Sequence, residues 1–354
     1  SEAAVAASSS LDAFAPAAVA DASVSLSDNR NTALGVINDA SNTLSVAATN
    51  VAPVGGVLAN AVLLPGIATG DHVLSNLQTA ETAVSSSAST QLYNQDRAAD
   101  QTSGVVNSTV AISGNSTVSE ASANRAANAV SVEGAAALNA SAGLINQQVS
   151  SADVTSTATT TAALNLTGNG AVLNGSSLSI DGNSTSALAR GNSASNVLNA
   201  SAGGSYGASS STTAGSALAL GGLGSTNATA AILNAQGNTG DVTASSTNVA
   251  YQVALNAGAP AGAAVAGSTV GVTGNSVAAS AYGNSATNAL TLTALNTGAP
   301  GAGAPTAAVG NYQVNSGAIV ATDTSVSYGI GVTGGVGGSS LRTTGNQVTA
   351  NAVG

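Results

Sequence analysis

Asparagine is the residue whose spacing carries a chemical pattern. Asn275, Asn284 and Asn288 lie nine and then four positions apart, and the same spacing recurs at Asn183, Asn192 and Asn196, at Asn115, Asn124 and Asn128, and at Asn29, Asn38 and Asn42. A fifth copy opens at Asn346, and the sequence stops at Gly354, where the next Asn is due. A primary amide has two N–H donors and a carbonyl acceptor. It is no acid, base or nucleophile, but it can hydrogen-bond to a copy of itself. If copies stack about 4.8 Å apart, each amide can donate to the next carbonyl, forming a continuous ladder. These thirteen Asn residues are the candidate site, and its chemistry is structural.

Side chains that could do catalysis are sparse. The acids are scattered, and no pair repeats at a ligand spacing. Asp153 and Asp241 take equivalent places in two copies, but the third has Ala318, which suits a turn acid better than a catalyst. The only histidine, His72, lies in a partly apolar insertion over 47–90, a setting for surface or local packing. GGVGGSS at 334–340 has the glycines of a calcium-binding β-roll without its Asp. Thr-x-Thr rows raise the thought of ice binding. Along the sequence the Thr residues form no consistent column, so their β-propensity is the preferred reading. Arg30, Arg125, Arg190 and Arg342 fall beside corners and read as solvated gatekeepers against lateral sticking, with carbohydrate contact as the alternative. The expectation is no enzyme, no cofactor and no metal.

The elements that must position the amides are β-strands. Val24/Leu26, Val110/Ile112, Leu178/Ile180, Val270/Val272 and Leu341/Thr343 alternate with small or polar residues just ahead of each first Asn. Period-2 patterning of this kind is a strand signal. An Asp-Asn or Gly-Asn pair then supplies a residue that tolerates positive φ, as a tight corner requires. Four and six positions after the first Asn the residues are always small: Ala33/Gly35, Ser119/Ala121, Ala187/Ala189, Ala279/Ala281 and Ala350/Ala352. Another backbone layer should lie close to that face. A second Gly-Asn corner is expected at Gly191-Asn192 and Gly283-Asn284. A weaker motif follows, read at Tyr93-Asn94-Gln95, Asn146-Gln147-Gln148, Asn234-Ala235-Gln236 and Tyr312-Gln313.

Composition agrees with thin, closely packed layers. Hydrophobic residues make up 44% of 354, yet aromatics are 2% and charged residues 6%, so the apolar content is largely Ala and Val. Ala favours helix, but Ser, Thr, Asn, Gly and Val surround it almost everywhere. One short helix is expected, over 72–84. The net charge of −10 and pI near 4.1 argue against a nucleic-acid or anionic-membrane partner. Val51 to Leu64, the most apolar stretch, contains Pro53 and is too short to span a bilayer. Residues 1–20 carry no repeat and read as an extended arm or a frayed tail; 21–354 form the repeat array, with copies starting near 24, 110, 178, 270 and 341. Loops in 257–267 and 297–308 absorb the differences in repeat length. A start at Ser1 suits a mature secreted chain, although an arbitrary boundary would look the same.

GNSATNALTL at 283–292 and GNSASNVL at 191–198 resemble the repeats of curli fibre subunits. The whole layout is similar to the secreted β-strand-repeat proteins of alphaproteobacteria, including holdfast-anchor proteins that tie an adhesive polysaccharide to the cell surface. Curli repeats are shorter and place Gln where this chain has Asn42, Asn128, Asn196 and Asn288. The resemblance implies an extracellular, self-associating β-solenoid fibre.

The sequence reading is therefore an all-β, irregular β-solenoid of stacked β-arch repeats with loop insertions. Its expected role is a secreted structural subunit of a self-assembling fibre in surface attachment or biofilm matrix. Its expected partner is itself, with a cell-surface polysaccharide or an outer-membrane anchor as further partners. The alternative is a monomeric cell-surface adhesin stalk that binds polysaccharide through its loops.

Overall fold

The computed structural model describes residues 3–354 apart from 16–17, 61–65, 95–103, 170–171, 208–210, 216–223, 259–262 and 297–304. The described residues are all-β, and five parallel sheets dominate. Sheet I holds Val5–Ala15, Val84–Asn94, Val154–Asn169, the pair Val242–Thr247 and Ala250–Gly258, and the pair Ile319–Thr324 and Ser327–Thr333. Sheet II is made of short strands, from Val19–Ala20 to Gly335–Gly337. Sheet III holds Ser23–Ser27, Thr109–Ser113, Ser177–Asp181, Thr269–Thr273 and Ser340–Thr344. Sheet IV holds Arg30–Val51, Ser116–Leu138, Ser184–Tyr206, Ser276–Asn296 and Gln347–Val353. Sheet V holds His72–Ala80, Ala142–Ser150, Ala230–Asn238 and Ala307–Asn315. The chain visits sheets I to V in turn and returns to sheet I. Sheets I to IV therefore each contain one strand, or one broken strand, from all five passes, and sheet V one from each of the first four, in sequence order.

The repeat starts expected near 24, 110, 178, 270 and 341 lie in register, with Val110 beside Val24 and Leu178, and Val270 beside Leu178 and Leu341. The first corner is as expected: Asp28, Gly114, Gly182, Gly274 and Gly345 all have φ between 57° and 69°. A corner the pattern did not reveal joins sheets II and III. It uses Asp21, Asn107, Gly175, Gly267 and Gly338, again at positive φ, each seven positions ahead of the first corner. The expected second corner is instead a bend within one continuous strand. Its glycines serve close approach, since a Cβ on Gly191 would lie 2.5 Å from the Gly283 carbonyl oxygen.

Three further expectations are corrected. Residues 1–20 are not an arm outside the array, because Val5–Ala15 pairs in parallel with Val84–Asn94 along its whole length. The stretch read as a helix over 72–84 contains the strand His72–Ala80, paired with Ala142–Ser150. That pairing makes Asn76 and Gln78 the first copy of the Asn-x-Gln motif; Tyr93 lies in sheet I beside Ala163. Of the insertions, 47–90 supplies the His72–Ala80 strand of sheet V and two strands, Gly56–Asn60 and Gly66–Gly70, of a small antiparallel sheet completed by Ser211–Gly215 and Gly224–Ala228. Parts of the loops at 257–267 and 297–308 lie outside the described residues, as does Gln95.

The interior is layered. Between sheet I and the first half of sheet IV the buried side chains are mostly small: Ala121, Ala187, Ala189, Ala279 and Ala281 pack on Val84, Val154, Ala158 and Val242. A Cβ on Gly35 would lie 2.9 Å from the Ser85 carbonyl oxygen, so the small positions do mark a close backbone layer. Larger side chains gather where the sheets spread. Leu92, Ile112, Leu164, Leu178, Tyr251 and Val253 fill the space within sheets I to III. Val130, Leu138, Leu144, Leu198 and Ile232 fill that between sheets IV and V. The alternation moves by one residue where sheet I is broken, at Asn248 (φ 53°) and Ser325 (φ 56°). A single extra residue of that kind is a β-bulge.

Candidate functional site: stacked amide ladders

All thirteen expected Asn residues stand in ladders. At the first corner, Asn29 donates to Asn115 (2.8 Å), Asn115 to Asn183 (2.8 Å), Asn183 to Asn275 (2.9 Å) and Asn275 to Asn346 (3.0 Å). Each accepting oxygen also takes the backbone N–H of the preceding Asn, at 3.0 Å throughout. The second amide proton reaches back one pass, from Asn183 to the Ile112 carbonyl and from Asn275 to Ile180. One side chain thus satisfies a tight corner in two consecutive passes.

The second ladder runs Asn38, Asn124, Asn192, Asn284, with every contact at 2.8 Å. Its amides also donate across the interior to sheet V, to the carbonyls of Thr79, Val149, Gly237 and Val314. The third runs Asn42, Asn128, Asn196, Asn288 at 2.8–2.9 Å. It is braced by a fourth, Asn76, Asn146, Asn234, Asn311, at 2.7–2.8 Å. The two columns touch in every pass, as where Asn128 meets Asn146 at 3.1 Å. Such cross-bracing gives Asn42, Asn128 and Asn196 of the third column a use for both amide protons, and a buried amide left short would cost about 1–3 kcal/mol.

Reasoning from sequence missed the fourth ladder and a glutamine ladder beside it. Gln148 donates to Gln78, Gln236 to Gln148 and Gln313 to Gln236, each at 2.6 Å. The Asn-x-Gln spacing is visible in the sequence, but its first copy ends at Gln78, not at Gln95. A serine column at the corner between sheets II and III was missed as well: Ser176, Ser268 and Ser339 accept the backbone N–H groups of Ser108, Ser176 and Ser268. Its signal is a Gly-Ser or Asn-Ser pair seven residues before each Gly-Asn. The ladders have direction. Asn donates from one pass to the next, whereas Gln donates to the pass before.

Most described charged groups stay at the surface; Asp323, whose carboxyl oxygens are buried, is an exception. Arg125 forms two hydrogen bonds with Asp39, at 3.2 and 2.6 Å, and Arg190 pairs with Glu120. These Arg residues are thus ion-paired across passes, while Arg30 and Arg342 are exposed. The hydrogen bond from Arg125 holds the Asp39 carboxyl below its usual range. Asp241 accepts the Ala318 N–H and Asp153 that of Asp241, the geometry of turn acids. Among the described residues no three or more His, Asp or Glu groups gather where they could hold a metal ion. No described helix is long and apolar enough to cross a membrane.

What this arrangement does is hold successive passes together along one direction, through neutral hydrogen bonds. Compared with known proteins, the chain matches no family model, no curated protein and no solved structure.

Proposed function

We propose that this chain is a β-solenoid and the structural subunit of a secreted, extracellular fibre that assembles from copies of itself. The observation that carries the reading is the direction of the amide ladders. Each pass offers Asn carbonyl oxygens to the pass before it and Asn N–H groups to the pass after it, with Gln reversed. A further pass, from whatever chain, meets a complementary pattern together with complementary strand edges. Sparse charge lowers the repulsion that would oppose such stacking. Attachment to surfaces or a biofilm matrix is the role that the resemblance to curli and holdfast-anchor proteins implies, with a surface polysaccharide or outer-membrane anchor as the point of attachment.

Negative-stain electron microscopy of the concentrated chain at neutral pH tests this. Uniform filaments, with a meridional fibre reflection near 4.8 Å, are expected. Discrete particles of constant length at every concentration would overturn it. They would favour a second reading, a monomeric adhesin stalk. An open trough of about 460 Å³ crosses four passes of sheet IV, lined by Asp39, Arg125, Ser193, Ser195, Ser285 and Thr287. Its hydroxyls and ion pair suit a glycan.

A further inference from the structure

The outer face of sheet I carries almost no charge, although the chain bears −10 overall. Among its described outward positions only Asp12 is charged. Register brings the hydroxyls into columns that were not apparent along the sequence: Ser8, Ser87, Thr157, Ser245 and Thr322 lie side by side across all five passes. The face also has a protrusion and a hollow. Phe14, the only Phe in the chain, is 52% exposed there and stacks on Tyr93 with ring centroids 6.1 Å apart. Three passes further on, Gln252, Ala254, Gly329 and Gly331 line an open depression of about 290 Å³. Nothing lies within 4 Å of where a Cβ on Gly329 or Gly331 would sit. Phe14, Tyr93, Gln252 and Gly329 share one position along the strands, in passes one, two, four and five.

We infer that two copies of this chain pair face to face through sheet I, about a two-fold axis parallel to its strands. That operation reverses the order of passes and keeps position along the strand. Phe14 of each copy then meets Gly329 of the other, Tyr93 meets Gln252, and Thr157 lies opposite itself. A two-fold contact must be self-complementary, and a ring pair at one end of a column with a glycine hollow at the other meets that condition. A hydroxyl grid is commensurate with its own copy and can both donate and accept. With strands about 4.8 Å apart and a rise of about 3.3 Å per residue, the face measures roughly 24 by 36 Å. Pairing would bury roughly 1,500 Å² over both copies, the size of an ordinary specific interface. Exposed aromatics seated in hollows are the usual anchors of such contacts.

The pairing does not rest on fibre growth. End-to-end stacking separates the two Thr157 residues by about five strand spacings, roughly 24 Å, whereas facing sheets lie about 10 Å apart. The chain has no Cys, so Thr157→Cys carries a single thiol. A short bis-maleimide should link Thr157→Cys into covalent dimers and leave Thr287→Cys, on exposed sheet IV, unlinked. In sedimentation velocity the unmodified chain should dimerise with rising concentration. Phe14→Ala and Gly329→Leu, both at exposed or open positions, should each raise the dimer dissociation constant at least tenfold. A Thr157→Cys chain that stays unlinked overturns the pairing even if filaments form, and so does a dimer indifferent to both variants. Linked dimers without filaments would leave the pairing standing and remove the fibre.

Discussion

Tyr251 and Thr185 are 66 residues apart in the chain, and their hydroxyls meet at 2.8 Å inside the stack. The contact ends a buried chain of hydroxyls that crosses between sheets I and IV. Thr185 donates to Thr160, Thr160 to Thr117 and Thr117 to Thr90, at 2.7–2.9 Å. A hydroxyl has one proton, so Tyr251 is the donor to Thr185. Burial pushes the Tyr251 phenol well above its ordinary range, which keeps that proton in place. Tyr251→Phe should cost about 1 kcal/mol. Thr160→Val should cost more, because it strands hydroxyls on both sides. Urea denaturation of the two variants checks the order.

Asn192 is wholly buried, accepts from Asn124 and donates to Asn284 and to the Gly237 carbonyl. Asn192→Ala leaves three buried partners short and should lose about 2–4 kcal/mol. Asn38→Ala, in the first pass, should lose less. Equal denaturation midpoints for the two would dismiss the ladder as a source of stability. Removing Asn196 and Asn288 together tests the adjacent column, and filaments grown from that double variant should dissolve at lower denaturant.

Gly191 and Gly331 make a matched pair. A Cβ on Gly191 would lie 2.5 Å from the Gly283 carbonyl oxygen and 2.6 Å from the Asn238 side chain, whereas one on Gly331 meets nothing within 4 Å. Gly191→Ala should destabilise by about 2 kcal/mol or more, through backbone overlap in a packed interior. Gly331→Ala should change stability by less than about 0.5 kcal/mol. Thermal unfolding of both reads the difference.

Asp323 gives a pH dependence. Its carboxyl faces inward in the last pass, where Ser246 and the Ala279 amide lie near it without closing well-formed hydrogen bonds. Loss of hydration outweighs them and raises its pKa. A group whose folded pKa is raised favours the fold below its unfolded pKa, about 3.9 for Asp. That contribution is lost as pH rises through the folded value. Asp323→Asn should therefore melt higher than the parent chain at pH 7, with the gap closing toward pH 4. A constant gap across that range would contradict the assignment.

Arg125 and Asp39 behave oppositely and weakly. The Asp39 pKa is lowered, so the pair stabilises at neutral pH and the contribution fades as pH falls through the folded value. Both side chains are largely exposed, at 37% and 51%. Arg125→Gln should thus cost no more than about 1 kcal/mol, and less in high salt. A salt titration of the melting temperature checks both.

What the sequence by itself determined is the repeat and its amides. Nine-then-four Asn spacing, the paired corner residues and the small positions are local, and each copy repeats them within about twenty residues. Stacking identical copies then places like on like. Tertiary structure alone decided the rest of each pass. HVLSNLQTA at 72–80 has apolar residues at 73, 74 and 77, a helical spacing, yet Asn76 and Gln78 find hydrogen-bond partners in Asn146 and Gln148, 70 residues away. Val5–Ala15 shows no repeat motif and enters sheet I because Val84–Asn94 offers it a full edge. The hydroxyl columns of sheet I depend on register across strands of different length and on a one-residue bulge. A strand's side-chain alternation is written locally, but which strand lies beside it is a property of the tertiary structure.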